Sequence, residues 1–350
     1  MDKAQELTKL MIDIARGKGA VAVGIATTET LKGGPPSTDL TYVLPEAKSA
    51  IVFALSLDQN AIERYLKKEE MAAANIDNRR VNITANGIAL ELSEFLMMKG
   101  HKSVPVAANI VYRKDTPKGP YDTKPPISHR YLAVRSGIGH FGLSGNVIMK
   151  KYGAATILSS VVTEVELIPT DPLPAEDNYC DRCRLCMSGC ASGLMSPDED
   201  TTVTLGGIDF TYSKRRSYDR CVYVCGGFSG LHKSGKWSTW SPARFPIPEK
   251  DEEFMGALMK AIEPYVKRFR ANYGFYNPLM PGHLSEFTCG NCQLICHPDK
   301  RVRQERYKML ANSGVIIQEP DGTLKAVTPK EAKTYLKTMD RQTRTLYEQD

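Results

Sequence analysis

The chain has 350 residues, with 46 Lys and Arg against 40 Asp and Glu for a net charge of +6, and 42% of its residues are hydrophobic. That is ordinary for a folded globular protein, long enough for one large domain or two modest ones, and it shows no low-complexity tract or solenoid repeat. No run of 18 or more apolar residues occurs, which excludes a membrane-spanning helix.

In chain order, the N-terminus reads as an amphipathic helix, with Leu7, Leu10, Met11, Ile14 and Ala15 at helical spacing. It carries no apolar signal core and no twin arginine, so the expected location is cytoplasmic and reducing, where thiols stay free. Residues 20–26 (AVAVGIA) and 50–57 (AIVFALSL) predict buried strands. Residues 82–99 predict a helix whose apolar face holds Ile83, Ile88, Leu92, Phe95 and Leu96, closed by Gly100. Residues 104–112 and 154–168 predict further strands. Helices alternating with strands indicate a mixed α/β (α+β) domain over 1–172, ending at the proline-rich IPTDPLP segment.

A cysteine-bearing region is expected over 173–302, with a long insertion at about 205–285. Within it, residues 211–245 hold seven Lys and Arg against Asp219 alone, with both tryptophans, Trp237 and Trp240. Such a stretch either holds a planar or anionic ligand or is a solvated loop with its aromatics packed inward. Residues 251–271 predict a helix that Pro264 kinks or interrupts. Residues 303–350 add a hairpin with a Pro-Asp-Gly turn and a last helix opened by Thr328-Pro329-Lys330-Glu331.

The most informative feature is the cysteine spacing. Cys180, Cys183, Cys186 and Cys190 form C-x2-C-x2-C-x3-C, and Cys289, Cys292 and Cys296 form C-x2-C-x3-C. The first run has the bacterial-type [4Fe–4S] spacing, in which three thiolates cap one cubane and the fourth reaches a second. Zinc sites favour two cysteine pairs a dozen or more residues apart, and an odd total of nine cysteines argues against disulfides.

Residues 129–149 (HRYLAVRSGIGHFGLSGNVIM) lead from a short helix into a turn dense in glycine. On its own this is weak, since it is not the dinucleotide fingerprint. Followed by YGAATILSSVVTEVEL, the first cysteine run, a lone cysteine and CGNCQLICHPDK, it resembles the epoxyqueuosine reductase and reductive dehalogenase superfamily. The resemblance is most specific over 125–190 and 286–300. It implies a nitroreductase-like core that binds cobalamin, beside a ferredoxin-like domain with two [4Fe–4S] clusters that feed electrons to the cobalt.

The resemblance also implies ligands. Cys180, Cys183, Cys186 and Cys296 would hold one cluster. Cys190, Cys289 and Cys292 would share the other with Cys221, on the likeness of S-Y-D-R-C to a family stretch, or with its competitor Cys225. Contacts to the corrinoid are expected from His129, Arg130, Gly137, Gly139, His140, Gly142, Ser144, Gly145 and Asn146. Of Arg130 and Arg135, one would meet corrin amides or a substrate anion and the other a structural carboxylate. Proton donors are sought among Asp122, Tyr121 and Tyr131.

Departures shape the expected substrate. Leu143 stands where epoxyqueuosine reductases have lysine, Asp122 is one residue out of register with their acid, and their helical-repeat module has no counterpart here. The expectation is therefore a cytoplasmic reductase of a small organic substrate, served by reduced ferredoxin or flavodoxin, with nucleic acid unlikely and no membrane contact. The alternatives are an electron-transfer or corrinoid-reducing partner without its own substrate, and a flavin-binding relative.

Overall fold

The computed structural model describes residues 3–108, 111–268, 275–276, 284–285 and 287–349. The elements run α1 (Lys3–Gly17), β1 (Ala22–Thr27), β2 (Ser49–Ser56), α2 (Gln59–Leu66), α3 (Ala72–Met98), β3 (Ser103–Val106), α4 (His129–Arg135), β4 (His140–Phe141), β5 (Val147–Ile148) and β6 (Thr156–Thr163). Then come α5 (Leu185–Ser188), β7 (Met195–Leu205), β8 (Ile208–Arg215), α6 (Asp219–Cys225), α7 (Phe254–Lys267), β9 (Phe275–Tyr276), β10 (Leu284–Ser285), α8 (Asn291–Leu294) and α9 (Lys300–Ala311). The chain closes with β11 (Val315–Gln318), β12 (Leu324–Val327), α10 (Pro329–Thr338) and α11 (Arg341–Arg344). None of the described helices is long and apolar enough to cross a membrane.

Two compact units result. The first comprises Met1–Leu57, Asn78–Arg182 and Asp200–Tyr212; the second comprises Asp58–Asp77, Cys183–Glu199 and Ser213–Asp350. This differs from a division at residues 172 and 302. Residues 58–77 group with the cysteine-bearing unit, and the tip of the β7–β8 hairpin groups with the first.

The first unit is built on a four-stranded antiparallel sheet of order β1-β2-β6-β3. In β2, Ser49 through Leu55 are all buried, as a continuous apolar run demands of a strand covered on both faces. Helix α4 packs on β1, β2 and β6, and α1 packs on β1. The polar residues of β6 are satisfied locally: the Ser159 hydroxyl donates to the Val106 carbonyl at 3.0 Å.

The expected apolar face of residues 82–99 is corrected in part. Helix α3 buries Val81, Ala85, Ile88, Ala89, Leu92 and Leu96, while Ile83 is 60% exposed. The alanines set the orientation: they add little hydropathy, yet their small side chains fit the close approach that larger residues would block. Of the strand expected over 104–112, Ser103–Val106 forms and residues 109–110 lie outside the described residues.

In the second unit, α6 and α7 enclose an aromatic stack. Phe228 lies 4.3 Å from Tyr265 between ring centres, and Tyr223 meets Phe254 edge-on at 5.8 Å. Both tryptophans are buried here. Trp240 Nε1 donates to the Tyr65 carbonyl at 3.0 Å, and Trp237 stacks on His232. Of the two readings of residues 211–245, aromatics packed inward is the one observed. Helix α7 continues through Pro264 and ends three residues later, while residues 269–271 of the expected helix lie outside the described residues. The hairpin β11–β12 and the capping box of α10 form as expected: Glu331 N donates to Thr328 Oγ1, and Thr328 N donates to the Glu331 carboxylate.

Candidate functional site

Five thiols converge in the second unit. Helix α6 places Cys221 and Cys225 one turn apart on one face, with their sulfurs 3.2 Å from each other. Cys225 also hydrogen-bonds to Cys289, which precedes α8. Cys190, Cys221, Cys289 and Cys292 lie close enough to perturb one another electrostatically. Cys190 and Cys292 each feel Cys221, whereas Cys225 meets Cys221 and Cys289.

The electrostatics of this group favour a cationic guest. Burial, then neighbouring thiols, push Cys292 well above the ordinary thiol range, and burial pushes Cys190 up. The hydrogen bond with Cys221, followed by that with Cys289, raises Cys225. Cys289 is instead lowered to about 7, first by the Cys225 thiol and, against burial, by the backbone N–H groups of Asn291 and Gly290 and the nearby Lys68. Thiols so crowded in a dry site cannot all ionise unless a positive group shares their charge.

Backbone amides also aim at the sulfurs, as iron–sulfur ligation uses them: Leu194 N donates to Cys190 Sγ at 3.5 Å. Among the described residues, no three His, Cys, Asp or Glu side chains stand close enough to hold a single metal ion. A tetrahedral zinc site would need sulfurs about 3.8 Å apart.

The other four expected ligands are placed as follows. Cys180 belongs to the first unit and accepts a hydrogen bond from Leu143 N at 3.3 Å. Cys183 is exposed, and Cys186 and Cys296 are half-buried in the second unit. Helix α5, carrying Cys186, packs against α8, which carries Cys292.

Lys68 gave no signal in the sequence. It is 8% exposed, and its amine contacts the Ser313 hydroxyl. Burial lowers it to about 7, and the Cys289 thiolate counteracts that shift. A lysine after a short helix is usually a solvated residue; only the packing of residues 58–77 into the second unit places it beside the thiols.

In the first unit, the glycine-dense turn is a small hairpin of β4 and β5. Its glycines serve the chain itself. Gly137 has φ +74° and a side chain there would meet the Asp171 carbonyl at 2.3 Å; one at Gly139 would meet the Ile148 carbonyl at 2.5 Å. Gly145 N–H closes the turn onto the Gly142 carbonyl at 2.8 Å. Ser144 Oγ accepts from Asn146 N at 3.3 Å, and Arg130 donates to the Gly145 carbonyl at 2.6 Å. The observed partners of these residues are thus internal, and the hairpin geometry adds nothing for or against a corrin ring.

The candidate acids and histidines divide. Asp122 accepts from Lys118 N at 3.0 Å, and this bond, with the Thr116 hydroxyl, holds its carboxyl below the usual range. An ionised turn carboxylate is a poor proton donor at neutral pH. Tyr121 is 52% exposed. The Tyr131 hydroxyl shares a 2.8 Å hydrogen bond with the Tyr212 hydroxyl, and Phe141 packs on both rings. Tyr212, some eighty residues downstream, had no mark in the sequence. His140 keeps Nε2 enclosed, and burial lowers its pKa.

His129 is engaged at both nitrogens. Nε2 faces the Ala107 carbonyl at 2.9 Å and must donate, so Nδ1 accepts from the Ser160 hydroxyl at 2.6 Å. Burial holds its pKa below 6.5. The unfolded chain therefore takes up this proton at higher pH than the folded one. The histidine's contribution is complete above pH about 6.5 and is lost as pH falls below it, at up to about 1.4 kcal/mol per pH unit. His129→Asn is expected to flatten the dependence of unfolding free energy on acidic pH by up to one proton. Urea unfolding at a series of pH values measures this, and an unchanged slope refutes it.

No protein-family model matches the chain. Sequence relatives are found, however. An epoxyqueuosine reductase from Atelocyanobacterium thalassa is 25% identical over 177 residues, 49% of this chain and 51% of that protein. A tetrachloroethene reductive dehalogenase from Desulfitobacterium hafniense is 26% identical over 157 residues, 45% of this chain and 25% of that protein. The chain thus matches about half the length of the first and a quarter of the second. Among solved structures, an epoxyqueuosine reductase with a tRNA-Tyr epoxyqueuosine-modified stem loop aligns over 97% of this chain and 96% of its own, at 15% identity and a TM-score of 0.44. A reductive dehalogenase aligns over 75% and 35%, at 14% identity and 0.48.

These relatives correct one expectation. A small organic substrate with nucleic acid unlikely is not sustained, because epoxyqueuosine reductases stand among the sequence relatives. With a mixed α/β fold and sequence relatives of both kinds, the chain is similar to the oxidoreductases of the epoxyqueuosine reductase and reductive dehalogenase superfamily.

Proposed function

We propose that the chain is an iron–sulfur oxidoreductase that passes electrons through two [4Fe–4S] clusters to a corrinoid bound by the first unit. The observation that carries this reading is the convergence of Cys190, Cys221, Cys289 and Cys292, from three separate stretches of sequence, into one group of half-buried and buried thiols. The relatives' names support a reductase, and the resemblance to their superfamily supports the corrinoid. When bound, a corrinoid supplies a strongly reducing cobalt centre. The chain's own part is to hold the clusters and to deliver a proton, for which the hydrogen-bonded Tyr131–Tyr212 pair is better suited than the ionised Asp122.

Cys221 is the fourth ligand of the second cluster in this reading, since both Cys190 and Cys292 feel it. Cys221→Ser is expected to lower bound iron from about eight to about four per chain, while Cys225→Ser keeps about eight. The reverse result would exchange their roles.

Anaerobic reconstitution with iron, sulfide and hydroxocobalamin, followed by metal analysis and EPR, tests the whole reading. About eight irons and one cobalt per chain support it. Eight irons without cobalt would favour an electron carrier or a flavin-binding relative. The first substrate to assay is an epoxyqueuosine-bearing RNA, on the name its relatives share.

A further inference from the structure

Arg135 closes helix α4 and is 8% exposed. Among the described residues its guanidinium makes no hydrogen bond and no ion pair, and its Nε is enclosed without a partner. A largely buried guanidinium without an ion pair is unfavourable, because it loses part of its hydration and gains no close counter-charge. Arg135 lines a cleft of about 430 Å³ between the loop after β1 and the β7–β8 turn, all within the first unit.

The walls of this cleft are fixed by the chain. Gly206 N donates to the Lys32 carbonyl at 2.9 Å, and a side chain at Gly206 would meet the Thr30 carbonyl at 2.6 Å. The Thr204 hydroxyl is spent on Asp209. Two acids are near. Glu29 lies in the cleft and is paired with Lys32 at 3.7 Å, and exposed Asp171 acts on Arg135 from a distance without an ion pair. With Glu29 offset by Lys32, the cleft keeps the positive charge of Arg135.

We propose that this cleft binds a small oxyanion, a phosphate or carboxylate group, which Arg135 grips through its paired N–H donors. The planar fork matches two oxygens of either group, and the anion supplies the partner that the protein withholds. The inference is independent of the cluster cysteines and of any corrinoid.

Thermal unfolding and calorimetry of the full-length chain, with inorganic phosphate and with acetate against chloride at equal ionic strength, test it. Phosphate or acetate is expected to raise the melting temperature of the wild type, and the stronger of the two names the preferred group. Arg135→Gln should weaken that binding at least tenfold, and Arg135→Lys should restore part of it. Lys32→Glu, at the exposed rim, should fold normally and bind several-fold more weakly, which keeps the test open if Arg135→Gln does not fold. No response to either anion, or equal binding by the variants, overturns the proposal.

Discussion

Replacing Cys292 by serine is expected to remove one cluster and leave the other. Bound iron should fall from about eight to about four per chain, and the visible absorbance should fall by about half. Cys292 is half-buried beside Cys190, Cys221 and Cys289, and desolvation with these neighbours raises its thiol well above the ordinary range, so that it stays protonated until a cation shares the charge. A serine hydroxyl at the same place is harder to ionise and is a poor ligand for iron. Cys183 is exposed and is a ligand of the other cluster in the proposed assignment, so Cys183→Ser and Cys292→Ser should lose different EPR signals. Full iron and unaltered spectra in both would refute the ligand assignment.

The second large effect falls on stability. Arg220 has a side chain 4% exposed, and it is held by the Asp251 carboxylate, the Glu249 carbonyl and the Ser192 carbonyl, with Phe254 4.7 Å from its guanidinium carbon. It neighbours Cys221 on α6 and so fixes the helix that presents that thiol. Asp251→Ala strands a buried guanidinium. Breaking a buried pair costs about 3–5 kcal/mol, and here the low end applies because the Asp251 side chain is 40% exposed and water can partly replace it. Arg220→Met, which removes the charge and keeps the volume, should cost less. Denaturant unfolding of the cluster-free chain measures both; equal stability of Asp251→Ala and the wild type would show that the pair does not hold α6.

Much of the first unit was legible because local rules and global packing agree there. The runs AVAVGIA and AIVFALSL are too apolar to face water, and they became the adjacent strands β1 and β2. The start of α10 was legible because a capping box is satisfied within four residues. Ile83 misled because hydropathy is read per residue, while helix orientation is set by what fits: Ala85 and Ala89 are buried and Ile83 faces out. The glycine turn suggested close approach to a ligand. Close approach is seen at Gly137 and Gly139, to the chain's own Asp171 and Ile148 carbonyls.

The sequence by itself supplied the cluster expectation, because a cubane takes three thiolates within a few residues and that spacing is local. It also carried the resemblance to a superfamily whose motifs lie in short contiguous stretches. Only the tertiary structure brings Cys221 and Cys225 to Cys289, sets Lys68 beside it, lets Tyr212 complete the Tyr131 hydrogen bond, and buries Arg135 without an ion pair. Each of these depends on residues far apart in the chain. Their separation is set by how strands and helices pack, and no local periodicity encodes it.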